Sequence, residues 1–178
     1  MNFSECLFLL AVITSAAHAN DALDAVSFME GRWRFVSTFF ENGAWGTPQE
    51  PKEAVTERTL GDAFIRMNLP VTFPGATFQF EMTLSYDRFN QVYRLAVLDD
   101  LNGFMDMYSG QMKNGVLTMT NVETGTAFPD GKGGLVFGKL ELHKTADGFQ
   151  LHGFVSSAPE GPFENYMKMA FTAEPTAK

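Results

Sequence analysis

The chain has 178 residues, of which 45% are hydrophobic, and its 13 basic and 21 acidic side chains give a formal net charge of −8. This length suits one domain with a single core, and the dispersed acidic charge argues against nucleic acid and anionic membranes as partners. A chain whose only cysteine is Cys6 can form neither an internal disulfide nor a site of several thiolates.

The first residues have features of an export signal. An apolar run over 6–13 is followed by small residues up to Ala19, and the run is too short to span a bilayer. The stretch before the run has Glu5 and no basic residue, so a buried N-terminal helix is the alternative. We predict a signal peptide over 1–19 and a single exported domain over 20–178, located in the periplasm or outside the cell, without a thiol and without stable membrane insertion.

Cleavage after Ala19 would leave Asn20 at the N-terminus of the exported protein. We expect this because Ala17-His18-Ala19 is the best small-x-small site in the segment. N-terminal sequencing of the exported protein should therefore begin at Asn20. A sequence that still contained Phe3 or Leu7 would show that the segment is retained.

The segment before Gly31 is the only helical candidate in the sequence. Asp21 can cap it, and Leu23, Val26 and Phe28 would share one face. Beyond this point the pattern changes to short alternating runs separated by turn residues, which is typical of all-β proteins.

Ten such runs are predicted to be strands. In the clearest of them Phe78, Phe80, Met82 and Leu84 alternate with polar residues, which indicates one buried and one solvated face. The predicted strands span 32–40, 54–60, 63–69, 77–86, 91–99, 104–112, 116–122, 135–144, 149–156 and 165–173.

Two kinds of connection alternate along the chain. Tight turns lie at 61–62, 87–90, 113–115 and 145–148, and the links between them occupy 41–53, 70–76, 100–103, 124–134 and 157–164, of which only 100–103 is short. If every strand pairs antiparallel with the next, the tight turns collect at one end and the long links at the other. We therefore predict a single ten-stranded antiparallel up-and-down barrel with a narrow floor and a loop-built mouth. A two-sheet sandwich is the alternative.

Gly31-Arg32-Trp33, after a helical lead-in, resembles the opening signature of the calycins, the lipocalins and fatty-acid-binding proteins among them. The resemblance implies that a short N-terminal helix plugs the floor, that Gly31 allows a sharp turn and that Trp33 seals the floor with its ring. Calycins usually place a last-strand Arg or Lys over this Trp, and Lys168 is the nearest candidate here.

A closer resemblance covers nearly all of the predicted domain. The segments 31–33, 59–65, 84–100 and 108–110 are similar in order and spacing to DUF1579, a bacterial calycin-like family of unknown function. That family commonly has two glycines where this chain has Gly61-Asp62. Since the family has no established activity, the resemblance supports the fold and adds little about function.

The turn at Asn102-Gly103 predicts how the strands beside it pair. A type I′ turn there would set Asp99 opposite Asp106, on the inward face near the mouth. Two facing carboxylates could hold a polar or cationic group or act as a general acid–base pair, and solvation at a hairpin end is the alternative.

Across the turn at Gly61, Glu57 and Arg66 are predicted to form an outer ion pair, which leaves Arg58 pointing inward. A guanidinium there could bind a ligand carboxylate. The predicted ligand-binding residues are Phe78, Phe80, Leu95, Val97, Asp99, Asp106, Tyr108 and Arg58.

Histidine and aromatic side chains outside this set are further candidates. His143 and His152 are predicted to lie on the outer face, and no second His or Cys stands at ligand spacing, so no metal site is predicted. Four aromatic residues fall on predicted mouth loops, where they could cover the core or form an apolar rim: Trp45, Phe73, Phe128 and Phe163.

These features predict an exported barrel that binds a small apolar or amphiphilic molecule, as a carrier or scavenger, with no cofactor and no assigned catalytic residue. The alternatives are a hydrolase-like enzyme that uses Asp99 and Asp106, and a ligand-free structural or interaction module with a packed interior. An internal cavity of several hundred cubic ångströms, roughly the usual size of a ligand pocket, would favour binding.

Overall fold

The computed structural model describes residues 22–73 and 76–174, so Cys6, Asp21 and the predicted cleavage site lie outside the described residues. Residues 22–24 are helical and lead into a 3-10 turn, Ser27–Met29. The strands are β1 Gly31–Glu41, β2 Ala44–Trp45, β3 Lys52–Thr59, β4 Phe64–Phe73, β5 Ala76–Asp87, β6 Val92–Asp99, β7 Met105–Lys113, β8 Val116–Thr120, β9 Phe128–Pro129, β10 Leu135–Lys144, β11 Gly148–Ser156 and β12 Glu164–Ala173.

The ten long strands form a closed antiparallel barrel, as predicted from the alternation and the turns. Each long strand pairs with the next, and β12 closes the ring by pairing with β1, where Trp33 lies opposite Ala173. The two short strands are additions within predicted loops: β2 pairs with the end of β1, and β9 pairs with the start of β10. Because the ten strands form one closed sheet, the alternative of a two-sheet sandwich is wrong.

The inward side chains of the strands form one core. Period-two alternation places Phe35, Met67, Leu84, Leu117 and Phe149 inside, each with an exposed fraction of 2% or less. The outward positions between them are mostly exposed or half-buried. One buried face on every strand is what closes the sheet on itself.

The prediction of a mouth loop over 70–76 is wrong. The link predicted over 70–76 is mostly strand, because β4 continues to Phe73 and β5 begins at Ala76, which lies opposite it. Val71 pairs with Phe78 and is fully buried, so its inward side chain extends the sheet beyond the predicted strand end. The long mouth links among the described residues are therefore those after β1, β8 and β11.

The N-terminal segment and Trp33 fill the end of the barrel opposite these links. Trp33 is 5% exposed, and its indole Nε1 donates a hydrogen bond of 2.7 Å to the carbonyl oxygen of Met29. Its ring meets the ring of Phe149 edge to face, with 5.0 Å between the centroids. Leu23 and Val26 are buried against the same core, so the helical lead-in closes the floor.

Lys168 does not lie over Trp33, and that prediction is wrong. Lys168 pairs with Thr38, five positions along β1 from Trp33, and its Nζ lies 4.4 Å from the centroid of the Trp45 ring. The residue of β12 that lies opposite Trp33 is Ala173. The cation therefore covers a mouth-loop tryptophan on the outside of the barrel.

The predicted register of β6 and β7 is wrong by two residues. Asp99 lies opposite Phe80, and Asp106 lies opposite Val97, so the two carboxylates do not face each other directly. The cause is a longer turn: the carboxylate of Asp99 accepts the backbone N–H of Asn102 at 2.7 Å, which closes a four-residue loop instead of a two-residue turn. Because the shift is even, every side chain keeps its predicted face.

Two glycine positions in the segments that carry the family resemblance have structural reasons. A Cβ on Gly110 would lie 1.9 Å from the carbonyl oxygen of Thr118, so β7 and β8 approach too closely there for any side chain. At the β3–β4 turn Gly61 has φ +66°, and Asp62, where the family commonly has a second glycine, has φ 64°. Asp tolerates this left-handed conformation better than most residues.

Candidate functional site

A cavity of about 460 Å³ lies inside the barrel toward the mouth. One wall comes from β4, β5 and β6, with Leu69, Phe78 and Val97 among its residues. The facing wall comes from β10, β11 and β12, with Leu140 and Met169. Since these strands alternate apolar inward residues with outward polar ones, the cavity is lined mainly by hydrocarbon.

The rim of the cavity is aromatic. Phe128 in β9 and Phe104 before β7 meet edge to face at 6.2 Å between ring centroids, and both line the cavity. Tyr166 of β12 lines it from the other side. Phe128 is one of the predicted mouth aromatics. The pairing of β9 with β10 fixes its backbone opposite Val136, and its side chain lines the cavity.

Six of the predicted ligand-binding residues line this cavity, and two do not. Leu95 is buried deeper in the core, between its partners Leu84 and Tyr108. Arg58 belongs to the floor, where it pairs with Glu30 and Asp24. The residues that the structure brings together around the cavity are Phe78, Phe80, Val97, Asp99, Asp106 and Tyr108.

Asp106 is buried and held by neutral donors. It is 5% exposed, and its two carboxylate oxygens each lie 3.2 Å from the amide nitrogen of Asn121. The hydroxyl of Thr126 donates to Oδ1 at 2.7 Å. Asn121, itself fully buried, accepts the backbone N–H of Gly138 at 2.7 Å and so links β10 to the carboxylate. The solvated alternative is therefore wrong for Asp106.

Tyr108 completes this polar cluster. The pKa of its hydroxyl is raised well above the usual value, first by burial and then by the charge of Asp106 and a hydrogen bond with it. The hydroxyl therefore stays protonated and acts as a donor. Gly138 makes room for it, since a Cβ there would lie 2.5 Å from the hydroxyl oxygen.

Asp99 lies nearer the rim and is half-buried. It stands two residues beyond Val97, the residue opposite Asp106, so the two acids are diagonal neighbours on adjacent strands. Such positions are about 7–8 Å apart. This spacing is too long for a direct proton transfer between the two carboxyl groups. A single small group that lies between them could contact both.

Arg58 stabilises the floor. Its guanidinium contacts Glu30 Oε1 at 2.8 Å and Asp24 Oδ1 at 2.5 Å, and these partners, led by the bond to Glu30, raise its pKa. Arg58 thus ties the N-terminal segment to β3 and does not line the cavity. The predicted outer pair of Glu57 and Arg66 is confirmed, with 2.8 Å between the charged atoms.

The histidines lie on the outer face, as predicted. His152 is opposite Glu141, and the His143 and His152 ring centroids are 5.0 Å apart. Burial is the first cause of a lowered pKa at His152, followed by the charge of His143. Within 22–73 and 76–174, no group of three His, Cys, Asp or Glu side chains is arranged to hold a metal ion.

Two other mouth aromatics, Trp45 and Phe163, do not line the cavity. Trp45 packs edge to face on Phe40 with 5.3 Å between centroids, and the ring centroid of Phe163 lies 5.9 Å from Lys139 Nζ. Phe73 is the last residue of β4.

Sequence reasoning missed three residues of the polar cluster: Asn121, Thr126 and Gly138. The sequence places Asn121 near a predicted strand end and Thr126 in a loop of small and polar residues, where such side chains are common. Asn121 is 15 residues from Asp106 and Thr126 is 20 residues from it. Only the pairing of β8 with β7 and β10 brings them together.

In the part of the chain that the structure describes, no helix is long and apolar enough to cross a membrane. Comparison with curated proteins gave no significant match. A family model described as a protein of unknown function, DUF1579, matches residues 23–173, which is the whole barrel and most of its N-terminal lead-in. The chain therefore belongs to the DUF1579 family.

Proposed function

We propose that this barrel binds a small apolar or amphiphilic molecule in its mouth cavity, as a carrier or scavenger. The observation that carries the proposal is the cavity of about 460 Å³ with apolar walls. Its size falls in the usual range of ligand pockets, roughly 300–1,000 Å³. A fully packed structural module would not need such a space, and burying a ligand's apolar surface there would be favourable.

The distribution of polar groups supports an amphiphile. The deep walls carry Met82, Leu140, Leu151 and Met169, while the acidic side chain Asp99 lies near the rim. A tail would be desolvated against the deep walls, and a polar head would remain near water. Methionines in the wall suit a tail of variable shape, because their side chains adapt to what they contact.

The hydrolase-like alternative has less support. The carboxyl group of Asp106 accepts hydrogen bonds from the neutral side chains of Asn121 and Thr126. Asp99 is its diagonal neighbour and not its direct partner across the strands. Export remains part of the proposal and rests on the apolar run and Ala19 of the sequence. An exported binding protein of this kind would take up its ligand in the periplasm or outside the cell.

Enlarging one inward side chain should abolish binding. In Val97→Phe the extra ring would enter the cavity, whereas in Leu98→Phe the next residue of β6 would place the same ring on the outer face. We expect titration with an uncharged fluorescent dye to give at least roughly tenfold weaker affinity for Val97→Phe, equivalent to about 1.4 kcal/mol. The dye should bind the Leu98→Phe chain as it binds the unsubstituted one.

Circular dichroism of both variants would verify that the barrel is intact. If Val97→Phe kept its affinity while folded, the dye would not occupy the cavity, and the proposal would fail. Native mass spectrometry of the purified chain should in addition detect a co-purified small molecule, which Val97→Phe should lose.

A further inference from the structure

We propose that the head group of the ligand is an organic ammonium, bound at the rim among Asp99, Asp106 and the aromatic rings of the mouth. This inference rests on the proposed binding function and specifies its ligand class. The acidic side chains of the cavity wall, the burial of Asp106 among neutral partners and the aromatic rim support it independently.

The charge on the cavity wall has one sign. Asp99 and Asp106 line the cavity, and no Lys, Arg or His is among the described residues that do so. Lys139, which lies 4.0 Å from the centroid of the Phe154 ring, is paired with Glu141 at 2.9 Å. A cavity with apolar walls focuses the field of its charges, so this one should attract cations and repel anions.

Asp106 is buried among neutral partners. Asn121, Thr126 and Tyr108 form hydrogen bonds with its carboxyl group, and none of these groups carries a positive charge. Burying a charge without an opposite charge is costly, and a ligand cation beside this carboxyl group would reduce that cost. A cationic ligand would thus supply the opposite charge that these three partners lack.

Asp99 provides the direct contact. Its Oδ1 accepts the N–H of Asn102, and its Oδ2 has no hydrogen-bond partner among the described residues. Its diagonal position, about 7–8 Å from Asp106 along the wall, lets one ammonium group lie close to both acids. The ammonium would sit at the rim, with its hydrocarbon tail directed into the barrel toward Met82 and Leu151.

The aromatic rim favours an organic cation over a metal ion. Phe80, Phe104, Tyr108 and Phe128 line the same end of the cavity as the two acids. Their ring faces attract an ammonium group through cation–π interactions, and they tolerate its methyl groups. A calcium or magnesium ion would instead need about six oxygen ligands, which this wall does not offer.

Three probes with the same decyl tail isolate the head group: decyltrimethylammonium, decanol and decanoate. Each would displace an uncharged dye, phenylnaphthylamine, from the full chain at neutral pH, below micelle formation. We expect the ammonium to displace the dye at a concentration roughly tenfold or more below that of decanoate, the ratio for about one charge-assisted contact. Decanol should displace the dye at a concentration between those of the ammonium and decanoate.

Asp99→Asn should reduce this preference several-fold, and Asp106→Asn should act in the same direction if the variant folds. Glu53→Gln is the matched control, because it removes one negative charge from an exposed outward position on β3. It should leave the preference unchanged.

The possible results separate the two proposals. If the dye binds but the ammonium and decanoate displace it equally, the head-group inference is wrong and the binding function stands. If Asp99→Asn and Glu53→Gln shift the preference equally, net charge and not the site is responsible, and the inference is again wrong. If the unsubstituted chain does not bind the dye, both proposals fail.

Discussion

Replacing Trp33 by alanine is expected to lower the free energy of unfolding by about 3–5 kcal/mol, as for other large buried aromatics. Trp33 is 5% exposed and packs on Phe149, whose ring stacks in turn on Phe171 with 4.2 Å between centroids. Its removal leaves a cavity at the floor and also leaves the carbonyl oxygen of Met29 without the indole donor. Urea unfolding followed by circular dichroism measures the loss.

Two controls separate these contributions. Trp33→Phe keeps most of the apolar contact but loses the hydrogen bond to Met29, so its loss should be smaller than that of Trp33→Ala. Trp45→Ala removes the other tryptophan, which is 36% exposed, and should cost about 1 kcal/mol or less. A loss below about 1 kcal/mol for Trp33→Ala would mean that the floor does not depend on this ring.

The strands could be predicted because each has one buried face. The run predicted at 77–86 becomes β5, Ala76–Asp87, with Phe78, Met82 and Leu84 buried as the alternation requires. Tight turns then fixed the order of pairing. Strands β2 and β9 could not be predicted, since each has only two residues and depends on a neighbouring long strand for its partner.

The register shows where local sequence is insufficient. Asn102-Gly103 suits a two-residue turn, but the carboxylate of Asp99 competes for the backbone N–H of Asn102 and lengthens the loop. The resulting shift is even, so the prediction that Asp99 and Asp106 share the inward face is correct although their direct pairing is wrong. An odd shift would have placed the two acids on opposite faces of the sheet.

Contacts between distant side chains were least predictable. Arg58 has the inward position predicted for it, yet its guanidinium pairs with Asp24 and Glu30 of the N-terminal segment. Nothing in the local pattern indicates which end of the barrel a long side chain will reach. The donors to Asp106 were missed for the same reason, because strand pairing and not sequence spacing brings Asn121 to it.

Replacing Asn121 by alanine should lower the free energy of unfolding by about 2–4 kcal/mol, because it removes the centre of the buried polar cluster. Asn121 donates to Asp106 and accepts the N–H of Gly138, and it is fully buried. The substitution therefore leaves a carboxylate with fewer donors and a backbone N–H without an acceptor. Asn68→Ala, at an exposed position of β4, should change stability by less than about 0.5 kcal/mol.

A double-mutant cycle with Asp106→Ala tests whether Asn121 acts through the carboxylate. If it does, Asn121→Ala should cost less in the Asp106→Ala background than in the unsubstituted chain, with a coupling of about 1–2 kcal/mol in urea unfolding. The remaining loss would then measure the bond to Gly138. Strictly additive losses would mean that Asn121 stabilises β10 alone, and that Asp106 is held in the cavity wall by Thr126 and Tyr108 without its help.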